Sequence, residues 1–388
     1  VHWKTILIWL LALALFSFIA VYFTTGDPLF DFTAFWIAGD LTLNGQDPYS
    51  ESDWIPIYSQ FESLGLADNQ TFLYPKPILL LFLPFGALPL KTASIIWLVL
   101  TQAAILTAVL MLADLWPLEK PARYLVPFLI GVFLFRPYLL TLNLGQLGGF
   151  FLLVLTGVLH LWRGERWLAS GMLCSLLALK PSLGFPILAL IALWLLAKKT
   201  WRFFSGLAIG GVSLLILGWF FDLNWIGRFL EIGTGKVSAT FGYHPTMWGL
   251  AGFLCAHRQS CALTAGGVSF ALFLGLFLWF VWRNYHRITH IEALALAIAL
   301  ALWVTPYLWA YDHLLLIIPL AAAVGALIRK NRSYAIAASL PVLLAVVSIF
   351  FLNVAVKLDN DAWSALVPLT ALLTVGLTIL IPPKEIQR

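Results

Sequence analysis

Charge is what this chain has least of. Only 11% of its 388 residues are Asp, Glu, Lys or Arg, against about 25% in soluble globular proteins, while 61% are hydrophobic and 18 are Trp. That balance excludes a soluble protein and leaves an all-α polytopic membrane protein. No stretch is polar and long enough to build a separate soluble core, so residues 1–388 are read as one integral membrane domain. Cysteine is scarce as well, and three residues exclude a disulfide scaffold. Cys174 lies in an apolar run and packs as a small apolar side chain, whereas Cys255 and Cys261 share a loop and can either pair in an oxidising compartment or stay free. His257 between them falls short of a four-ligand zinc site. Asp-x-Asp is absent from both large loops, so neither a metal nor a cofactor is expected.

A second absence is local. Residues 24–71 carry eight carboxylates (Asp27, Asp31, Asp40, Asp47, Glu51, Asp53, Glu62, Asp68) and no Lys or Arg. Membrane topology is read from basic residues in short loops, so a base-free stretch of this length is expected outside the cytoplasm. The net charge of +5 then reflects cytoplasmic loops and not nucleic-acid binding.

A helix needs about 20 apolar residues to span a bilayer. Candidate spans lie near 5–23, 91–113, 122–140, 144–162, 166–180, 183–197, 203–221, 262–282, 289–307, 312–328, 334–352 and 363–381, about twelve helices by that length criterion. Residues 5–23 show no small-residue cleavage site and read as a retained helix. With both termini in the cytoplasm, the basic clusters at 119–123, 163–166, 198–202, 283–287 and 329–332, and Lys384, all fall on the cytoplasmic side. The segment 72–90 is apolar but holds Pro75, Pro77, Pro84 and Pro89. Counting it as a span would invert every later helix, so it is read as a re-entrant or interfacial element on the outer side, where irregular backbone is tolerated if protein satisfies it. A second large outer loop covers 222–261.

With this topology the costly polar residues sort to one face. Asp31, Lys76, Arg136, Asn143, Gln146, Lys180, Arg228, Lys236, His244, Asp312 and His313 fall at outer helix ends or in outer loops. An ionisable group at the bilayer centre costs at least about 2.5 kcal/mol, so such residues are functional candidates by default. Their convergence predicts a polar cavity opening outward.

Several runs also carry a resemblance: Asp31-Phe32 with Ala38 and Gly45-Gln-Asp-Pro-Tyr49; Phe72-Leu-Tyr74-Pro75 with Pro84 and Pro89; Gly145-Gln146; Lys180-Pro181; and Pro306-Tyr-Leu-Trp309-Ala-Tyr311-Asp312 ending at Pro319. In that order they resemble glycosyltransferase family 87, membrane enzymes of the C superfamily (GT-C) that use polyprenol-phosphate sugars and include α-1,2-mannosyltransferases. The chain departs from the pattern with Gly149 after the Gly-Gln pair, Ser182 after Lys-Pro, and His244-Pro-Thr246 in the late outer loop.

The resemblance implies a GT-C-like fold and a substrate pair: a lipid-linked sugar donor in the bilayer and a glycolipid or glycan acceptor, joined at the outer face of the plasma (inner) membrane. Inverting displacement at the anomeric carbon requires a general base, and Asp31, close after the first helix, fits that role. The leaving phosphate needs cations in a partly dehydrated site, for which Lys76 and Lys180 rank above Arg136, Arg228 and Lys236. Substrate contacts are expected from Tyr74, Asn143, Gln146, His244, Asp312 and His313. The polyprenyl-phosphate sugar is a substrate and not a cofactor.

Plainer roles stand beside these. Asp31 can cap a helix, Asp47-Pro-Tyr49 reads foremost as a turn, Asp312 with His313 can be a polar pair orienting helices, and Arg136 before Pro137 can snorkel to the interface. A transporter or flippase of a lipid-linked sugar is the alternative class, but it calls for polar residues through the whole membrane depth and repeated halves, and the sequence displays neither.

Overall fold

The computed structural model describes residues 30–64, 71–117, 122–239 and 242–382. The expected first span at 5–23, Asp27, Asp68, the basic residue Lys120 and Lys384 lie outside them, as does the side chain of Lys236. Among the described residues every regular element is helical.

Two short elements come first among the described residues: α1 (Phe30–Leu43) and α2 (Glu51–Tyr58). A 3₁₀ turn (Lys76–Ile78) leads into α3 (Leu79–Gly86). Together they span only Lys76–Gly86, and at 1.5 Å per residue this is about half the roughly 30 Å hydrocarbon core. Helix α3 packs on α1 where both lack side chains: a Cβ on Gly39 would meet the Phe82 carbonyl at 2.5 Å, and one on Gly86 would collide with the Gly39–Asp40 backbone. That close approach lets Phe35 stack on Phe82 with centroids 4.4 Å apart. The Trp36 indole closes the unit by donating to the Leu88 carbonyl at 2.8 Å.

The remaining helices follow: α4 (Leu90–Asp114), α5 (Ala122–Leu134), α6 (Arg136–Leu144), α7 (Gly148–Arg163), α8 (Trp167–Cys174), α9 (Pro181–Ala197), α10 (Trp201–Phe221), α11 (Trp225–Ala239), α12 (Met247–Leu254), α13 (Gln259–Asn284), α14 (His290–Val304), α15 (Ile317–Arg329), α16 (Tyr334–Leu358) and α17 (Leu366–Leu380). Among the described residues six helical stretches are long and apolar enough to cross a membrane: Leu90–Asp114, Trp201–Phe221, Gln259–Asn284, Ala310–Arg329, Tyr334–Leu358 and Ala362–Leu380. The count becomes seven if α5 and α6 are one broken span, and it leaves the expected twelve unconfirmed. Every other expected span within the described residues is helical but shorter, as with Gly148–Arg163 and His290–Val304. The expected span at 122–140 is bent by 57°, because Pro137 follows Arg136 at the break and proline cannot continue the preceding helix.

Helix α14 is the hub, with every residue from Glu292 to Val304 buried. It packs against α9, α15 and α17. In contrast, only 11% of the apolar stretch of α13 is buried by protein, as befits a helix facing lipid.

One end of the bundle is basic. Arg163 pairs with Asp114 at 2.8 Å, Lys198 lies 4.0 Å over the Tyr285 ring, and Arg329 donates to Glu292 at 2.5 Å. Lys330 caps α17 by donating to the carbonyls of Thr378, Ile379 and Ile381 at 2.6–2.9 Å. Arg163, Lys198, Arg329 and Lys330 come from three of the basic clusters expected on one side.

Candidate active site

The candidate residues gather at breaks between helices, not within them. Helix α6 stops at Gly145, whose φ of 71° is the left-handed conformation favoured at helix C-termini. Its carbonyl accepts from the Trp97 indole at 2.8 Å. The next residue, Gln146, is thereby delivered to the α1 start and is buried. Lys180 is the N-cap of α9, placed between a 3₁₀ turn (Ser175–Leu179) and Pro181 at the first helical position. Asp312 sits in a 3₁₀ segment (Ala310–Leu316) that enters α15, and its carboxylate accepts the Trp309 amide at 3.1 Å. Irregular backbone at such depth is expected where it lines a polar cavity.

These breaks bring together residues far apart in sequence. Gln146 donates its Nε2 to Asp31 and accepts the Tyr74 hydroxyl at 3.4 Å. Lys180 pairs with Asp312 at 2.5 Å, with 9% and 2% of their side chains exposed, and lies 4.7 Å over the Tyr311 ring. Both ends of that pair act on Asp31. Burial pushes the Asp31 carboxyl above the ordinary carboxylate range; the Gln146 hydrogen bond and the Lys180 charge oppose the shift, and the Asp312 charge adds to it. Burial likewise holds the Tyr74 hydroxyl well above its usual range, so it stays protonated.

His244 lies beside this group, its ring 4.6 Å from Tyr307 and 4.9 Å from Trp309, with Nδ1 3.1 Å from the Leu308 carbonyl. Burial lowers its pKa to about 4, so the imidazole is neutral at pH 7. Thr246, two residues on, caps α12 by accepting from Gly249 at 3.2 Å.

A second charged group is linked to the first by two tyrosines. The Tyr49 hydroxyl donates to the Tyr74 carbonyl at 2.5 Å, and Lys76 lies 4.6 Å over the Tyr49 ring. Lys76 donates to Asp47 Oδ1 and Arg228 to Asp47 Oδ2. Asp222 closes the set at 3.0 Å from Arg228 and 4.0 Å from Lys76. Burial works to raise the Asp47 carboxyl, but hydrogen bonds from Lys76, the Tyr49 amide and Arg228 overcome it and hold the group below its usual range.

Three expected substrate contacts stand apart. Arg136 grips Asp361 through both terminal nitrogens at 2.8 and 3.1 Å and Ser364 at 2.8 Å, and His313 is buried near that guanidinium and the Pro245 backbone. Asn143 is exposed on α6. Sequence reasoning missed Asp47, Asp222 and Asp361 as cation partners. Asp47 was legible in the Gly-Gln-Asp-Pro-Tyr run, yet the turn it makes, accepting the Tyr49 amide at 3.0 Å, hid its second role. Nothing in the sequence pairs Asp361 with Arg136 across more than 200 positions.

Among the described residues no three His, Cys, Asp or Glu side chains are grouped to hold a metal. In the late loop, Cys255 and Cys261 form a disulfide, and Cys174 is buried and free.

No curated protein and no solved structure matches the chain. The family model of glycosyltransferase family 87 matches residues 72–306, a segment containing Tyr74, Lys76, Gln146, Lys180 and His244 and lying between Asp31 and Asp312. That match covers more than half of the 388 residues, and the chain belongs to glycosyltransferase family 87.

Proposed function

We propose that this membrane glycosyltransferase moves a hexosyl unit, with mannosyl favoured, from a polyprenyl-phosphate sugar to an acceptor hydroxyl on the extracytoplasmic face, with inversion at the anomeric carbon. The observation that carries the reading is the environment of Asp31, a half-buried carboxylate with an elevated pKa, beside Gln146, Tyr74 and the Lys180–Asp312 pair. A base works best when its pKa approaches the working pH, and burial tunes a carboxylate in that direction.

The acceptor oxygen attacks the anomeric carbon as its proton passes to Asp31. The bond from that carbon to the phosphate oxygen breaks, and polyprenyl phosphate leaves with the electron pair. Gln146 orients the carboxylate, and Lys180 supplies positive charge to the site. The buried neutral His244 and the aromatic rings of Tyr307 and Trp309 present surfaces suited to a sugar. Opposite this end lie the basic clusters, in keeping with a site that faces away from the cytoplasm.

The test is purified Asp31→Asn incubated with labelled polyprenyl-phosphate sugars and a membrane lipid extract. Transfer is expected to fall by roughly 10² to 10⁴-fold, the usual worth of a general base, with donor affinity retained. Transfer at the parental rate would remove Asp31 as the base. Movement of intact lipid-linked sugar across proteoliposomes, without any glycosylated product, would favour a transporter instead.

A further inference from the structure

We propose that the Asp47 carboxylate occupies a phosphate site built by Lys76 and Arg228, and that the phosphodiester headgroup of a lipid donor displaces it there. The inference rests on the donor class named above. Asp47 offers two oxygens and a single negative charge, and each oxygen is taken by a different cation: Lys76 on one, Arg228 on the other. A sugar-phosphate-lipid diester also has two unesterified oxygens and one negative charge. The exchange therefore conserves both charge and hydrogen bonds, whereas removing Asp47 without a replacement leaves two cations facing only Asp222.

Burial singles out this group. The Lys180–Asp312 pair is almost wholly enclosed and lies beside the base. In the Asp47 group the Lys76 side chain is 4% exposed, a fixed anchor, while Asp47 and Arg228 are 31% and 36% exposed and can part. In an inverting displacement the leaving phosphate lies across the sugar from the base. Tyr49 and Tyr74 lie between the two charged groups. Arg228 belongs to α11, which follows the end of lipid-facing α10. Near it in the chain, Phe220, Leu223 and Leu230 are 86%, 78% and 56% exposed. Exposed apolar side chains flanking Arg228 in the chain suit a lipid phosphate at the bilayer surface with its chain in hydrocarbon.

The test measures binding of farnesyl phosphate, farnesol and inorganic phosphate to the intact protein in nanodiscs. Asp47→Asn removes the internal competitor, so farnesyl phosphate is expected to bind about tenfold tighter, with farnesol unchanged and inorganic phosphate far weaker. Arg228→Gln, alone or added to Asp47→Asn, is expected to weaken farnesyl phosphate by about tenfold through loss of a charge-assisted contact. Unchanged or weaker binding by folded Asp47→Asn overturns the proposal, as does an equal gain for farnesol. Inorganic phosphate binding as tightly as farnesyl phosphate overturns the lipid assignment. If Asp47→Asn does not fold, Arg228→Gln decides alone, and parental affinity for farnesyl phosphate overturns the site. None of these measurements requires turnover, so an inactive Asp31→Asn neither supports nor harms the inference, and a failed exchange leaves the base assignment standing.

Discussion

Replacing Arg136 with Met separates a structural cation from a phosphate ligand. The guanidinium ties the start of α6 to the segment before α17 through Asp361 and Ser364, while the Arg136 amide donates to Ser348 on α16 at 3.2 Å. With 11% and 19% of the two side chains exposed, the pair is far from the surface class worth about 0–1 kcal/mol. Breaking a buried pair from one side costs about 3–5 kcal/mol, because the remaining charge is stranded. Here Asp361 keeps the Ser364 hydroxyl at 2.5 Å, which places the expected loss near the lower bound, about 3 kcal/mol, or on the order of 10²-fold in the unfolding equilibrium. Unfolding of the purified protein in mixed micelles, followed by tryptophan fluorescence, reads this directly. Arg136→Met should lose that amount, Asp361→Asn a similar amount, and Arg136→Met with Asp361→Leu should recover much of it, since no buried charge is then left alone. Affinity for farnesyl phosphate should not move in any of the three. A stable Arg136→Met that had lost such binding would refute the structural assignment and make Arg136 a phosphate ligand.

Two more outcomes follow from the geometry. Transfer should rise with pH through the elevated pKa of Asp31, because the base acts when deprotonated; Gln146→Leu removes a hydrogen bond that favours the carboxylate, so the acid limb of the kcat/KM profile should move to higher pH, and a limb that moved down would contradict the pairing. Gly39→Ala inserts a methyl group against the Phe82 carbonyl and should destabilise the α1–α3 unit by about 1–3 kcal/mol, the usual cost of overpacking, measurable as a shift in thermal unfolding.

Some of this was written in the residues themselves. Low charge and long apolar runs dictate membrane helices, because a backbone in hydrocarbon must satisfy its own hydrogen bonds. The prolines of 72–90 marked as irregular a segment whose helical part, Lys76–Gly86, is shorter than the length a span needs. Gly145 before Gln146 and Lys180 before Pro181 marked helix ends, and at those ends the polar side chains gather.

Partnership was not legible. Lys76, Arg136 and Lys180 were legible only as cations near one membrane face; which acid each one holds depends on contacts spanning 29, 225 and 132 positions. Span number was equally hidden, since apolar runs beside the hub α14 are apolar for burial in protein as well as for contact with lipid, and composition does not separate the two. Sequence alone therefore settled the class of molecule and the chemical types at its site. Tertiary structure decided which charges neutralise one another, because the energy of a charge in a low-dielectric interior is set by its nearest neighbours and not by its place in the chain.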